Sequence, residues 1–424
     1  MASRDGGQLL AGGANPASNE AVPLVIASIL PTYGSTGVHT HIWQLRGYLD
    51  GQGISSTLLT SFSWGGLFTR AVFAVRLILV RVSGGASVFW YRHWHEFFLR
   101  MALRRHLARL GDCVIYAQGP LEARAALRAR SCHKQRVVMV VHFKYSHADE
   151  WANTSHSTIK RNGKVFRWIR RVERDVIPQT DGLVYVSRWA RSALQSWLPE
   201  AATVRSAVIG NFVAPMAAQP SSEPMADLVT IGGLDTVKNH RFLLEVLAEA
   251  KRLNRSVSLD MFGDGPLRGE LTSLRRSLGL DELVRFRGFQ PDVRNYLPGY
   301  RAYVHASYSE TSSLAIMEAM AAGLPVVVPN IGPMPELCTD HVEGRFWPLD
   351  DPAKAAAILL ELLDDAGALR AAADAARERF RRVFAANVVG PRLYSFIMES
   401  RSPNEDPRTQ DSNGTQISVI EVDI

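Results

Sequence analysis

Between Ser307 and Pro329 the chain reads SYSETSSLAIMEAMAAGLPVVVP, and this stretch decides the fold. A short polar turn leads into Leu314, Ile316, Met317, Ala319, Met320 and Ala321, spaced as on a helix. Gly323 and Pro325 stop that helix, and the β-branched Val326, Val327 and Val328 open a strand. Preceded by an apolar strand at 302–306, the segment reads as strand, tight loop, helix, strand. Glu310 stands in the loop where the helix begins. Glu318 follows about two turns into the helix at ~1.5 Å per residue, so both carboxylates can face one cleft. The amides of Ser312, Ser313 and Leu314 are the unpaired donors of a helix N-terminus, which suits a diphosphate.

Working outward, the same alternation fills the second half of the chain. A strand at 228–231 leads to the loop Gly232, Gly233, Leu234, Asp235, Thr236, Val237, Lys238, Asn239, and then to a helix at 241–253 with Phe242, Leu243, Val246, Leu247 and Ala250 on its apolar face. Strands follow at 257–262 and 284–289, the first ending in the turn Gly263-Asp264-Gly265-Pro266. Amphipathic helices are expected at 353–363, 366–384 and 387–400. The first half repeats the pattern: a strand at 23–30, a loop with Gly34 and Gly37, a helix at 39–49, then strands at 53–60, 113–118, 136–141 and 177–187. Alternating strands and helices predict two doubly wound α/β units. Ligands of such sheets gather beyond the carboxyl ends of the strands, where His142 stands at the end of the strand 136–141. His147, Asp149 and Glu150 follow as weaker candidates for acceptor contacts.

Joined to its context, the Glu310–Glu318 spacing resembles the E-x7-E segment of retaining GT-B glycosyltransferases of family GT4. The resemblance implies two Rossmann-like domains facing each other across a cleft, spanning residues 22–400, strongly in the second half and loosely in the first. It implies an acceptor-binding domain over 21–213 and a nucleotide-sugar domain over 227–386, while composition predicts a disordered 1–20 and a Pro-, Ser- and Ala-rich linker at 214–226. A helix at 387–400 would cross back to the first domain, leaving a disordered tail at 401–424. Residue by residue, Glu310 is expected on the donor sugar and Glu318 on the nucleotide ribose. His142 would line the sugar site, Gly37 the first loop beside the phosphates, and Gly288 and Phe289 the base. Lys238 matches the family lysine that neutralises the diphosphate, whereas Gly233 stands where the family has an arginine.

The expected function is transfer of a sugar, with retention, from a nucleotide-sugar to a glycan or lipid-linked acceptor in bacterial polysaccharide assembly. Two alternatives stay open: a weak or inactive nucleotide-sugar-binding scaffold, because of Gly233, and a nucleotide-sugar 2-epimerase. No metal and no cofactor are expected, since no D-x-D triplet or ligand cluster of divalent spacing lies in the predicted domains. Paired carboxylates at glycosidase spacing are not required, which sets hydrolases aside.

Composition agrees with two ordinary globular cores: 424 residues, 46% hydrophobic and 21% charged. The net charge of +7 rests mostly on arginine, and no recognisable module points to nucleic acid. Cys113, Cys132 and Cys338 are too few and too scattered for a disulfide framework and fit a reducing cytoplasm. The first twenty residues lack the basic and apolar regions of a signal peptide, and no run approaches the ~18 apolar residues of a membrane span. The stretch from Trp64 to Leu110 carries eight arginines against Glu96, with Trp90, Tyr91, Trp94, Phe97 and Phe98 interleaved. Its part 96–110 sets Leu99, Leu103, Leu107 and Leu110 on one helical stripe. That stripe packs on a sheet or lies on an anionic membrane, so peripheral contact at the inner face of the membrane is a second expectation.

Overall fold

The structure is a computed structural model describing residues 22–32, 34, 36–153, 159–216 and 225–399. The expected disordered ends, most of the linker, and Tyr33 and Ser35 of the first loop lie outside the described residues.

Short runs of β-branched and aliphatic residues form two sheets of six strands. The first contains β1 (Leu24–Ser28), β2 (Ser56–Thr60), β3 (Cys113–Ala117), β4 (Gln135–Val141), β5 (Gly182–Tyr185) and β6 (Ser206–Val208), in the order β2-β1-β3-β4-β5-β6. The second contains β7 (Leu228–Ile231), β8 (Leu259–Phe262), β9 (Val284–Gly288), β10 (Ala302–Val304), β11 (Val326–Pro329) and β12 (Gly344–Trp347), in the order β12-β11-β10-β7-β8-β9. Every pairing within them is parallel. Parallel strands need helical crossovers that cover both faces, which is why β1, β3 and β11 are buried along their whole length. Each sheet reverses its winding once, between β1 and β3 in the first and between β7 and β10 in the second. Those are the two switch points where a doubly wound sheet opens a crevice.

The last helix, Ala386–Met398, closes the molecule on itself. Val389, Leu393 and Ile397 pack with Leu24, Ile26 and Val138 in the core of the first domain. A bridge between Val213 and Ala385 marks where the two crossings of the chain meet. Each of those aliphatic side chains contributes ~1.5–3 kcal/mol on burial, enough to hold the helix on a domain far from its neighbours in sequence.

Two local readings change. The 177–187 stretch is a 3-10 turn, Ile177–Gln179, followed by a short strand, because Pro178 removes a ladder donor. The 64–110 stretch is two helices, Gly66–Val82 and Gly84–Leu107, divided at Ser83, whose hydroxyl accepts from Ala86 N. Leu99, Leu103 and Leu107 belong to the core, and Glu96 is buried with Arg124 and Arg128 at 3.0 and 2.9 Å. The predicted stripe is therefore a packing face. Exposed apolar surface lies instead on the preceding helix, where Phe68, Leu77, Ile78 and Val82 are 62%, 67%, 65% and 78% exposed. Among the described residues no helix is long and apolar enough to cross a membrane.

Candidate active site

At the second switch point, the loops after β7 and β10 lie side by side, joined by Tyr308 N donating to Val237 O at 2.9 Å. In the first loop Asp235 Oδ1 accepts from Val237 N and Lys238 N, a turn that aims the Lys238 side chain. The lysine stem then runs over Gly232, where an added Cβ would sit 3.5 Å from it. Beneath this loop the Gly263-Asp264-Gly265 turn approaches so closely that a Cβ on Gly263 would lie 1.9 Å from Gly232 O. Those glycines serve backbone approach.

Lys238 Nζ meets Glu310 Oε1 at 2.6 Å. The same oxygen accepts from Ser307 Oγ at 2.8 Å and faces His305 Nε2 at 3.1 Å. Burial opposes charge on Glu310, but Lys238 and His305 outweigh it and hold the carboxyl down at about 2. Glu310 is thus an anion at neutral pH, with Oε2 outside this cluster. Glu318 has the opposite character: burial pushes its carboxyl up to about 7, against the pull of the Arg294 guanidinium. Both carboxylates are close enough to the buried Tyr303 phenol to push it up, after burial itself. The helix that carries Glu318, Leu314–Ala321, begins at Ser313 without a side-chain cap, and Ser312 Oγ is buried with no partner among the described residues. Gly288, at φ +70°, ends β9 with its Cα facing open space, and Phe289 beyond it is 58% exposed.

The first domain supplies the opposite wall. His142 leaves the end of β4, its Nε2 at 3.2 Å from Gln118 Oε1 and its ring 4.6 Å from that of His41. His41 is set between Asn211 Oδ1 at 2.9 Å and the Tyr116 hydroxyl at 3.2 Å. Burial takes His41 down to about 4 and His142 well below its ordinary value, His41 and His147 adding to the latter, so His41 and His142 are both neutral imidazoles. Gly37 opens the helix Gly37–Gly51 with nothing within 4 Å of where a Cβ would stand. Thr311, next to Glu310, donates its hydroxyl to His142 O at 2.8 Å and so joins the two walls.

The structure therefore brings Lys238 and Glu310 into contact, sets Glu318 near Arg294 and within electrostatic reach of Tyr303, and holds His142 across the cleft at the Thr311 contact. Asp149 is bound to Arg170 at 2.6 Å and to Ser146, a structural role. Sequence reasoning passed over His305, Ser307, Arg294 and Gln118. His305 and Ser307 were within sight in VHASYSE, just past β10 and five and three positions before Glu310. Arg294 and Gln118 carry no local signal. Among the described residues no group of three or more His, Cys, Asp or Glu could hold a metal ion.

Two family models match in tandem, "Glycosyltransferase Family 4" over residues 35–215 and "Glycosyl transferases group 1" over residues 226–365. The chain belongs to glycosyltransferase family 4. Its curated relatives include a Campylobacter jejuni N-acetylgalactosaminyltransferase named for a diphospho-undecaprenol substrate, 32% identical over 28% of this chain and 28% of the relative. The glycogen synthase of Mycobacterium tuberculosis is 26% identical over 53% of this chain and 55% of its own length. The chain thus spans between about a quarter and half of the length of these relatives. Sucrose-phosphate synthase of Thermosynechococcus elongatus superposes with a TM-score of 0.68 at 15% identity, covering 88% of this chain and 98% of that one. Anabaena HepE in complex with UDP and glucose gives 0.62 at 17% identity, again over 88% and 98%. These likenesses show the GT-B fold of this family 4 glycosyltransferase, two Rossmann-like domains about one cleft.

Proposed function

We propose that the chain transfers a hexosyl group from a nucleotide-sugar to a glycan or lipid-linked acceptor, with retention and without a metal, in building a bacterial polysaccharide or glycolipid. The observation that carries this reading is the Lys238–Glu310 pair at the switch point, one cation and one buried anion on adjacent loops. The donor diphosphate draws Lys238 Nζ toward itself and takes the amides of Ser312, Ser313 and Leu314 at the helix N-terminus. Glu310 then accepts from a sugar hydroxyl, Glu318 from the ribose, and Gly288 and Phe289 border the base. His142, neutral, presents to the sugar without competing for the phosphates, and Gly37 gives the first loop room beside them. The acceptor oxygen bonds to the anomeric carbon on the face from which the diphosphate oxygen departs, and the acceptor proton passes to that oxygen. The protein's part is orientation and electrostatics.

The support from relatives is of the same kind. The Anabaena neighbour is described with UDP and glucose, and the Campylobacter relative is named for a lipid-linked acceptor. A lipid-linked acceptor also accounts for the helix Gly66–Val82, whose exposed apolar residues alternate with Arg70, Arg76 and Arg81. We place the peripheral contact with the cytoplasmic face of an anionic membrane there. Thermal unfolding with UDP, GDP, ADP and CMP, each with magnesium or with a chelator, tests the reading. One nucleotide at ~100 times its dissociation constant should stabilise by about 2.7 kcal/mol in either condition. No shift with any of them refutes the donor site.

Gly233 favours a second reading, a nucleotide-sugar-binding subunit of little activity. A Cβ there would stand 3.4 Å from Asp235 Oδ2 and 3.8 Å from Asp264 O, so the backbone admits a side chain where the family has arginine. Gly233→Arg separates the two: a transferase should turn over faster, and a scaffold should not.

A further inference from the structure

The contacts between the two walls converge on the loop that carries Glu310. Thr311 makes two of them with the first domain, its hydroxyl donating to His142 O at 2.8 Å and its carbonyl accepting from Ser187 Oγ at 2.9 Å. Ser187 is the N-cap of the helix Arg188–Gln195, where its hydroxyl also accepts from Ala190 N. The next two amides of that helix, Arg188 N and Trp189 N, donate to Glu336 Oε2 and Oε1 at 2.7 and 2.8 Å. Glu336 belongs to the short helix Met334–Leu337 of the second domain, whose carbonyl at Glu336 is held in turn by Arg379 Nη2 at 3.0 Å. Between these contacts Gly332, at φ +53°, has room for a Cβ only 3.6 Å from Glu310 O and 3.8 Å from the Trp189 ring.

A carboxylate that accepts two adjacent backbone amides at a helix N-terminus combines charge-assisted hydrogen bonds with the helix dipole. The partners of Thr311 (His142 and Ser187) and of the Glu336 carboxylate (Arg188 and Trp189) sit on the opposite domain, so these four contacts exist only when the domains are closed. We infer that Glu336 and Thr311 are positioning residues: a two-point bolt that locks the domains together and, through the Thr311 backbone, sets the orientation of Glu310. Resting on the transferase reading, this makes domain closure and donor binding one coupled event. By linkage, whatever loosens the bolt weakens the donor nucleotide by the same factor that the nucleotide strengthens the bolt. Neither residue touches the reacting atoms.

The test uses the full chain as wild type, Glu336→Ala, Glu336→Gln and Thr311→Val. Small-angle scattering without nucleotide reads closure directly. Glu336→Ala and Thr311→Val should give a larger radius of gyration, and Glu336→Gln an intermediate one, since an amide oxygen serves one of the two backbone donors and its NH2 repels the other. Calorimetry with whichever of UDP, GDP, ADP or CMP stabilises the wild type should show about tenfold weaker binding by Glu336→Ala, with partial recovery in Glu336→Gln. Nucleotide should also compact the wild type less than it compacts Glu336→Ala. Scattering curves of both Glu336→Ala and Thr311→Val that superpose on wild type overturn the bolt. An opened Glu336→Ala that binds the nucleotide as tightly as wild type overturns the coupling. Should no nucleotide bind any form, the transferase reading falls, and the scattering comparison still decides the bolt by itself.

Discussion

Removing the Lys238 ammonium is the perturbation with the most direct consequence. The Glu310 side chain is 11% exposed and Lys238 28%, so solvent screens this pair little. The Glu310 carboxyl lies at about 2 against an ordinary 4.5, even though burial alone would raise it. A depression of that size corresponds to roughly 3 kcal/mol of stability held by the ionised form. The group's folded value is depressed, so this stability is present above pH 4.5 and is lost as pH falls through about 2. Lys238→Ala leaves a buried carboxylate with only His305 and Ser307, and its carboxyl must climb. The variant should therefore melt about 6–12 °C below wild type at pH 7, taking 2–4 °C per kcal/mol for a domain of this size. The gap should close steadily as pH is lowered from 4.5 toward 2. The assay is thermal unfolding of both proteins across pH 3 to 8, with Glu310→Gln and the double variant completing a mutant cycle. A gap that stays the same across the range, or a cycle without coupling, refutes the assignment of Lys238 as the partner that holds Glu310 charged.

Three further outcomes follow from the same geometry. Glu318 is raised to about 7, so its burial costs stability as pH rises from 4.5 through 7; Glu318→Gln should raise the melting temperature at pH 8, with the gain shrinking toward zero as pH falls below 4.5. Glu318→Ala should bind the stabilising nucleotide at least tenfold more weakly by calorimetry, a loss of about 1.4 kcal/mol, and equal affinity would refute the ribose role. Replacing exposed Leu77 and Ile78 by aspartate should abolish co-sedimentation with anionic vesicles at low salt without changing the melting temperature, whereas a wild type indifferent to anionic lipid refutes the membrane contact.

Much of the site was legible because its parts are local. The Glu310–Glu318 spacing, the helix N-terminus between them and the placement of Lys238 and His142 at strand ends are each set by fewer than a dozen neighbouring residues. What the two carboxylates do was not legible. They stand eight positions apart on one loop-and-helix segment, yet one is held ionised by Lys238, 72 positions away, and the other is driven toward protonation beside Arg294. The role of Glu336 was hidden for the same reason, its amide partner Trp189 lying 147 positions off. The apolar stripe at 96–110 shows the limit from the other side. Periodicity identified an amphipathic face, but whether a sheet or solvent covers such a face depends on where the helix is set down, and here the sheet takes it.

By itself, then, the amino-acid sequence determined the alternation of strands and helices, the two-domain GT-B plan and the list of groups proposed to meet a nucleotide-sugar. The alternation follows from hydrophobic periodicity, turn residues and helix ends, all of which act over a few residues, while the GT-B plan and the candidate groups came from the resemblance to family GT4. Tertiary structure alone decided which of those groups are charged and which wall each stands on. It also decided that Thr311 and Glu336 bind the first domain. Charge state and contact across a cleft depend on burial and on partners distant in the chain, and no local pattern encodes either.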